Sequence, residues 1–417
     1  MHIRKRSFFE ITFPLAVVFF ICIGTSFLDA MGDSRLRWIF LAIVFLYLFL
    51  NKKLLSCINY PWKILLFVYL IWCISTTLWS EVPILSLVKS TFFAVDIVVM
   101  LSAGSLWVIK YDYDRSFHWL FLVLVVVWLS GFLGGASEGS LDSFGSFNLY
   151  QGLTDNANAF GFTVAIISPL IFLKLYQHKA NRWPFLAWFV ILLVNIHFLF
   201  LSFSRSSIAI FLCIASFFVL SLPLSKKILM AFSLFFGISL MLLMLPASYL
   251  KTEVTAHIVK FNGDIIDPNA PLVFQSRSLV WKKSIEQAKK GGIVGGGFAV
   301  TIGDKNFSIN NLSGVGYGRE KGNSQFEIME ETGIIGLILY GLILISFFVH
   351  VIPYYRRITG HDKVAMGLAL GAIVGLLVES IVEGWWDSAA GPEVICFWTL
   401  VGSVYGMIYL QKKRTLT

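Results

Sequence analysis

Charged residues are scarce in this chain. Asp, Glu, Lys and Arg together make up 14% of its 417 residues, whereas 57% are hydrophobic and 16% aromatic. The mean hydropathy of +0.78 lies far above the range of soluble globular proteins. This composition excludes an ordinary soluble domain and predicts a polytopic membrane protein.

Cysteine and histidine are also scarce in the hydrophilic part of the chain, where residues of a metal site or a covalent catalytic site would be expected. The five cysteines lie within apolar runs or at their predicted inner ends, which argues against disulfides and against a cysteine-based metal site. The one long hydrophilic segment holds a single histidine, His257, and apolar residues separate its Asp264 from Asp267. A calcium or magnesium loop at these aspartates is the weaker alternative, and we predict no metal and no cofactor. The lack of a Ser-His-Asp or Cys-His set argues against hydrolysis through a covalent intermediate.

Apolar runs long enough to cross a membrane recur along the whole chain. We predict an all-α polytopic fold with about twelve transmembrane helices. Every second loop carries the excess of Lys and Arg, which predicts cytoplasmic N- and C-termini and explains the net charge of +9 without a nucleic-acid partner. The first span has no small-residue cleavage site after it, so we interpret it as a retained helix. The predicted spans are 11–30, 37–50, 62–79, 88–108, 117–135, 158–176, 184–203, 206–223, 228–247, 333–352, 364–383 and 390–410.

These spans divide the chain into three parts. Residues 1–247 hold helices 1–9, residues 248–332 form a long, partly helical extracytoplasmic loop, and residues 333–417 hold helices 10–12. The inner loops are short, so we expect the chemistry on the outer side, in the long loop and in the outer loop at about 136–157.

The long loop contains one clear helical pattern. The stretch SRSLVWKKSIEQAKK predicts a helix capped by Ser276, in which Arg277 and Trp281 are one turn apart and share a face. The glycine-rich GGIVGGG that follows lacks the Gly-Lys-Ser/Thr of a phosphate-binding P-loop, so it predicts a flexible hinge.

Three arginines predicted on the outer side are candidates for binding an anion. Arg205, in LSFSRSSIAIF at the turn after the seventh span, is either a snorkelling boundary residue or a ligand for an anion at the membrane surface. Arg277 and Arg319 lie in the long loop. Guanidinium groups bind phosphate oxygens in a planar, bidentate way, so these residues suit a lipid-linked diphosphate.

Ionisable residues inside the predicted spans are a further signal. Glu379 and Glu383 share a face of the eleventh span, and Asp387 follows at its outer end beside Trp385 and Trp386. Such carboxylates are either structural partners for the arginines or proton-handling groups. His197, within the seventh span, is better interpreted as a hydrogen-bonded core histidine than as a catalytic one.

The ordered motifs resemble one family. WSEVPILSLVKS, GLTDNANAFG, SFSRSSIAIF, SRSLVW and NSQFEIMEETGIIGL occur in this order over nearly the whole chain. Together they resemble the O-antigen ligase and Wzy-type polysaccharide polymerase superfamily. The resemblance implies a glycosyltransferase of the bacterial inner membrane that takes glycan from an undecaprenyl diphosphate carrier at the outer face. It also implies that neither nucleotide sugar nor metal is needed.

The resemblance assigns roles to residues. Arg205 and Arg277 correspond to the arginines that hold the donor diphosphate, whereas the family's histidine before Asn323 is replaced by Gly322. That histidine orients or deprotonates the acceptor hydroxyl, so Glu320 is the nearest candidate base. The expected site has catalytic Glu320, Arg319 and Asn323; diphosphate-binding Arg205, Arg277, Arg319 and Lys321; and supporting Trp281, Glu379, Glu383 and Asn158.

The expected function is polymerisation of lipid-linked oligosaccharide repeat units into exopolysaccharide, capsule or O-antigen, with inversion of the anomeric configuration. A ligase that moves glycan to lipid A-core is the close alternative, and the absent histidine favours the polymerase. A lipid-linked oligosaccharide transporter is remote, since neither repeated halves nor Pro-broken spans are evident. The expected partners are the undecaprenyl-diphosphate-linked donor, a glycan or lipid A-core acceptor, membrane lipids and a chain-length regulator.

Overall fold

The computed structural model describes residues 8–22, 36–139, 147–154, 156–223, 275–303 and 321–416. Helices make up most of this part of the chain, joined by short 3-10 turns at Thr76–Trp79, Tyr113–Arg115 and His118–Leu120. The α-helices are α1 Phe9–Ile21, α2 Leu36–Leu50, α3 Tyr60–Ser75, α4 Pro83–Tyr111, α5 Phe121–Leu133, α6 Ala157–Ile166, α7 Ser168–Gln177, α8 Arg182–Leu201, α9 Arg205–Ser221, α10 Gln275–Gly291, α11 Ser324–Arg357, α12 Gly360–Glu379 and α13 Pro392–Leu416.

Within the described residues, eight helical stretches are long and apolar enough to cross a membrane. They are Tyr60–Trp79, Pro83–Tyr111, Tyr113–Leu133, Ala157–Gln177, Arg182–Leu201, Ser324–Arg357, Gly360–Glu379 and Pro392–Thr415. The apolar helices α1, α2 and α9 are shorter and lie at three further predicted spans. The protein is therefore a largely helical, polytopic membrane protein, while the predicted ninth span at 228–247 lies outside the described residues.

The helices differ from the predicted spans in three places. The sixth span is divided at Ile167, between α6 and α7, next to Pro169 in the first turn of α7. The tenth begins at Ser324 instead of residue 333, and Gly333 interrupts it with φ 72°. The eleventh ends at Glu379, so Glu383 is not inside the helix as predicted; its N–H bonds to the Glu379 carbonyl at 2.9 Å in the following turn.

A small sheet is the one departure from an all-α fold among the described residues. Strands β1 (Gly135–Gly139) and β2 (Phe147–Gly152) pair antiparallel where only a loop was expected, with Ala136 opposite Tyr150. The Tyr150 hydroxyl donates to the Gly134 carbonyl at 3.1 Å. This bond ties the hairpin to the chain just after α5.

The described chain forms two compact units, of which the first contains residues 1–125, 280–357 and 376–417. Its α4 and α13 are closely packed because glycines lie at their contact. A Cβ on Gly104 would lie 2.2 Å from the Thr399 carbonyl oxygen, and one on Gly402 would lie 2.0 Å from that of Leu101. Small residues let membrane helices approach to this distance. The carboxylate cluster described below belongs to this unit.

The second unit contains residues 126–279 and 358–375. Its part of α12 packs on α9 through glycines spaced by four residues, which lie one turn apart on one helix face. A Cβ on Gly371 would lie 2.9 Å from the Ile214 Cα, and one on Gly375 would lie 2.8 Å from the Ile210 Cα. Arg205 is the first residue of α9, one residue before the predicted start of the eighth span.

Candidate functional site

The segment 321–323 leads directly into α11 and is held by hydrogen bonds on several sides. Asn323 caps the helix, since its Oδ1 accepts from the Phe326 N–H at 2.9 Å while its Nδ2 donates to the Ile381 carbonyl at 2.7 Å. The hydroxyl of Ser324 accepts from the Trp385 N–H at 3.0 Å. The entry of α11 is therefore fixed against the chain that follows α12.

Helix α10 is attached to the same segment. The Trp281 indole N–H donates to the Gly322 carbonyl at 2.9 Å, and the Ser284 hydroxyl donates to the Lys321 carbonyl. Trp281 and Ser284 are three residues apart and share a helix face. Arg277 lies one turn before Trp281 in this helix. The SRSLVW motif is thus joined, through Trp281, to the backbone that precedes α11.

The first turns of α11 carry an unusual group of buried carboxylates. Glu327, Glu330 and Glu331 are 8%, 0% and 1% exposed, and Glu327 and Glu331 are four residues apart and so share a face. Asp387, 6% exposed, joins them from the loop after α12. One oxygen each from Glu327, Glu331 and Asp387 lies within 4.8 Å of the other two. We call Lys321, Glu327, Glu331 and Asp387 the carboxylate cluster.

Lys321 supplies the positive charge of the carboxylate cluster. Its ammonium forms an ion pair with Glu331 and lies 3.8 Å from Glu327 Oε1. Burial lowers the pKa of Lys321, but the nearby charges of Glu331, Asp387 and Glu327 outweigh this effect and hold its pKa above the ordinary value. Lys321 is therefore charged throughout the neutral pH range.

The glycine-rich loop after α10 binds the carboxylates of α11 with its backbone. The Ala299 N–H donates to Glu331 Oε2 at 2.6 Å, and the Ile302 N–H donates to Glu330 Oε1 at 3.2 Å. Gly295 has φ 79°, and a Cβ there would lie 2.1 Å from the Glu331 carbonyl oxygen. Only glycine fits such a position without strain. The loop thus supports the cluster through its backbone N–H groups, and its role as a flexible hinge stays a prediction.

Aromatic side chains close the apolar side of the cluster. The Trp386 indole N–H donates to the Tyr69 hydroxyl at 2.9 Å, and the rings of Tyr340 and Trp386 meet edge to face at 4.5 Å. Trp386 is fully buried. The carboxylates therefore lie between an apolar aromatic layer and the polar segment 321–323, where the dielectric constant is low and unpaired charge is costly.

Three of the predicted site residues lie at or against the segment 321–323, and three others lie wholly or partly outside the described residues. Lys321 and Asn323 lie in the segment just described, and Trp281 contacts it. Lys321 is already ion-paired, so contact with a diphosphate would require it to leave Glu331. Asn323 likewise uses both ends of its amide. Arg319 and Glu320 lie outside the described residues, as does the side chain of Arg277.

The remaining predicted residues are Glu379, Glu383, Asn158 and Arg205. Glu379 is 4% exposed at the end of α12, and the partly exposed Glu383 follows it in a turn. Asn158 is exposed in the first turn of α6, where the neighbouring Asn156 is the residue that caps the helix. Arg205 and Asn158 both belong to the second unit.

Sequence reasoning missed several residues of the site. The spacing of Glu327 and Glu331 was a usable signal, since two carboxylates four residues apart in an apolar context lie on one buried face. Ser284 and Ser324, which hold the segment through hydrogen bonds, carried no signal of their own. The approach of Asp387 depends on tertiary folding over more than fifty intervening residues.

The three carboxylates are close enough together to suggest a divalent cation, whose ligand distances of about 2.3–2.6 Å give similar oxygen separations. However, the Lys321 ammonium already contacts Glu331 and lies near Glu327. A second cation among these oxygens would be repelled by it. The donor set therefore fits an internal lysine better than a metal.

Neither the protein-family models nor the curated proteins with which the chain was compared include a match. The resemblance noted in the sequence consequently rests on its motifs and their order.

Proposed function

We propose that this protein is a membrane glycosyltransferase that uses undecaprenyl-diphosphate-linked glycan. In this proposal it joins lipid-linked repeat units into a polysaccharide in the bacterial inner membrane. The site faces the periplasm, the twelve spans leave both termini in the cytoplasm, and no metal takes part. Its partners are the lipid-linked donor, the acceptor glycan, membrane lipids and a chain-length regulator.

One observation supports this proposal most directly: α10 is attached to the segment 321–323. The bonds from Trp281 to Gly322 and from Ser284 to Lys321 join the two motifs to which the sequence assigned diphosphate binding and acceptor activation. These motifs are about forty residues apart in the chain. A transferase needs both groups at one reacting centre, because positioning supplies a large part of its rate enhancement.

The proposed chemistry is a direct displacement. The acceptor hydroxyl oxygen bonds to the anomeric carbon while the bond from that carbon to the diphosphate breaks, and the diphosphate leaves with the electron pair. Arg205, Arg277 and Arg319 stabilise the charge that develops on the leaving oxygens. Lys321 is not assigned to the diphosphate, because its charge is already used by Glu331. Glu320 receives the hydroxyl proton, a contribution of about 10²- to 10⁴-fold.

The conformation at Gly322 is compatible with the absence of a side-chain base there. Its φ is 60°, in the left-handed region that favours glycine. Glycine offers no side-chain base, so we assign the proton acceptor to a neighbouring residue. Glu320 remains the candidate for this role.

The proposal is tested with the purified protein in detergent and the lipid-linked repeat unit as the only substrate. A ladder of longer lipid-linked glycans is expected. Transfer that appears only after lipid A-core is added would identify the ligase instead. Absence of transfer under both conditions, together with translocation of the substrate in vesicles, would refute a transferase.

Site variants test the assigned roles in the same assay. Arg205→Ala and Arg277→Ala are each expected to lower transfer by at least about 10²-fold while membrane insertion is preserved. The matched control is Arg182→Ala, at an exposed arginine on the predicted inner side. Glu320→Gln is expected to slow transfer, and an unchanged rate across pH would remove Glu320 from the proposed mechanism.

A further inference from the structure

Two carboxyl groups of the carboxylate cluster, those of Glu327 and Asp387, each have an oxygen within 4.8 Å of the other. Glu327 and Asp387 are 8% and 6% exposed. Within the described part of the chain, neither Glu327 Oε2 nor Asp387 Oδ2 has a hydrogen-bond partner. An ionised carboxylate can only accept hydrogen bonds, so two buried ionised groups at this separation repel each other and satisfy neither oxygen.

Two lysines among the described residues lie near the pair. Lys321 is the nearest cation, but its ammonium is bonded to Glu331 and reaches Glu327 only at 3.8 Å. A second lysine, Lys89 of α4, lies within electrostatic range of Asp387 and Glu331. The other titratable groups that face the cluster are Glu330, whose Oε1 accepts from Ile302, and Tyr69 and Cys73 of α3.

Glu327 lies close to the segment 321–323, with Gly384 next to both. A Cβ on Gly384 would lie 2.9 Å from Glu327 Oε2 and 3.5 Å from the Gly322 backbone nitrogen. The unpartnered Oε2 of Glu327 thus lies close to Gly384, which in turn lies close to Gly322. Glycine at position 384 leaves the space that the carboxyl group occupies.

We propose that Glu327 and Asp387 bind one proton between them and form a carboxylic acid–carboxylate hydrogen bond in the folded protein. The shared proton gives a donor to two oxygens that otherwise have none, and it removes one of two facing charges. A proton fits here better than a metal ion, because the Lys321 ammonium lies next to the same oxygens. This proton-binding site does not depend on the proposed function, and its test uses no glycan substrate.

The test is infrared difference spectroscopy of the full-length protein in lipid vesicles at neutral pH. Exposed carboxyl groups are ionised there, since their pKa values are near 4. The spectrum is compared between wild type and Glu327→Gln, and between wild type and Asp387→Asn, in H₂O and in D₂O. We expect each difference spectrum to contain the C=O stretching band of one protonated carboxyl group, shifted to lower frequency in D₂O.

The two single variants distinguish a shared proton from a proton held by one residue. With sharing, either substitution removes the band, because the remaining carboxylate ionises beside Lys321. A band that survives in one of the two variants, or that is absent from wild type, would overturn the proposal. The same holds if Mg²⁺, Mn²⁺ or Ca²⁺ abolishes the band in wild type, since a metal would then be the true ligand.

Controls separate loss of the proton from loss of the fold. Glu286→Gln removes an exposed glutamate of α10 and should leave the band unchanged. If Glu327→Gln does not fold, Glu327→Asp keeps a carboxyl group and should retain the band at an altered frequency. A folded Glu327→Asp protein without the band would also contradict the proposal.

Discussion

Replacing Lys321 by methionine removes a lysine that forms an ion pair within the buried carboxylate cluster. Lys321 is 8% exposed and its partner Glu331 is 1% exposed, so the loss is not compensated by solvent. A charge pair at the 3.8 Å that separates Lys321 from Glu327 is worth about 4 kcal/mol at an effective dielectric constant of about 20. Breaking a buried pair by removing one partner typically costs about 3–5 kcal/mol. We expect Lys321→Met to lower the free energy of unfolding by an amount in this range.

The double variant Lys321→Met/Glu331→Gln tests whether the cost comes from the unpaired carboxylate. Replacing both partners of a buried pair by neutral groups of similar size is often close to neutral. We therefore expect the double variant to recover at least half of the stability lost in Lys321→Met. The coupling between the two substitutions follows from a double-mutant cycle with Glu331→Gln alone.

The assay is reversible unfolding in detergent micelles, followed by tryptophan fluorescence. Lys282→Met is the matched control, because Lys282 is an exposed lysine of α10. Exposed substitutions of this kind usually change stability by less than about 0.5 kcal/mol. If Lys321→Met resembled this control, the ion pair would not stabilise the site and the reasoning would be refuted.

Three further outcomes follow. Gly295→Ala should destabilise the protein by about 1–3 kcal/mol in the same unfolding assay, because Gly295 has a positive φ and lies against the Glu331 carbonyl. The control Gly341→Ala, at a helical glycine with open space around it, should not destabilise the protein. Trp281→Phe keeps an aromatic ring, although a smaller one, and loses the hydrogen bond to Gly322, so we expect a loss of at least about 1 kcal/mol in the free energy of unfolding and, under the proposed function, slower transfer. Because the pKa of Lys321 is raised, its stabilisation is fully present below the unfolded-state value of 10.5 and is lost only as the pH rises through the higher folded-state value. The stability difference between wild type and Lys321→Met should thus not decline as the pH rises from about 6 to 9, and a decline by half over that rise would contradict a charged Lys321.

Most of the helical architecture could be predicted because apolar length is a strong signal. The helix Arg182–Leu201, the turn to Arg205 and the helix over SRSLVWKKSIEQAKK were all evident. The early start of α11 at Ser324 was missed, because its first turns are polar and are buried by the glycine-rich loop and not by lipid. The predicted cap at Ser276 is also wrong, since α10 begins at Gln275.

The site could be predicted only in part. The short motifs and their order along the chain indicated the segment 321–323 and Trp281, and a hydrogen bond joins the two in the structure. The pairing of Lys321 with Glu331 could not be predicted, because the motif suggested an outward-facing cation and only the fold turns it toward α11. Asp387 reaches the cluster from a loop after α12, and nothing in its local sequence indicates that contact.

The most direct test of the central claim is a transfer assay with wild type, Arg277→Ala and the control Arg182→Ala. Each purified protein is incubated with undecaprenyl-diphosphate-linked repeat unit, first alone and then with lipid A-core. We expect wild type and Arg182→Ala to produce a ladder of lipid-linked glycans with repeat unit alone, and Arg277→Ala to produce none. Equal transfer by Arg277→Ala, or no transfer by wild type with either acceptor, would contradict the account.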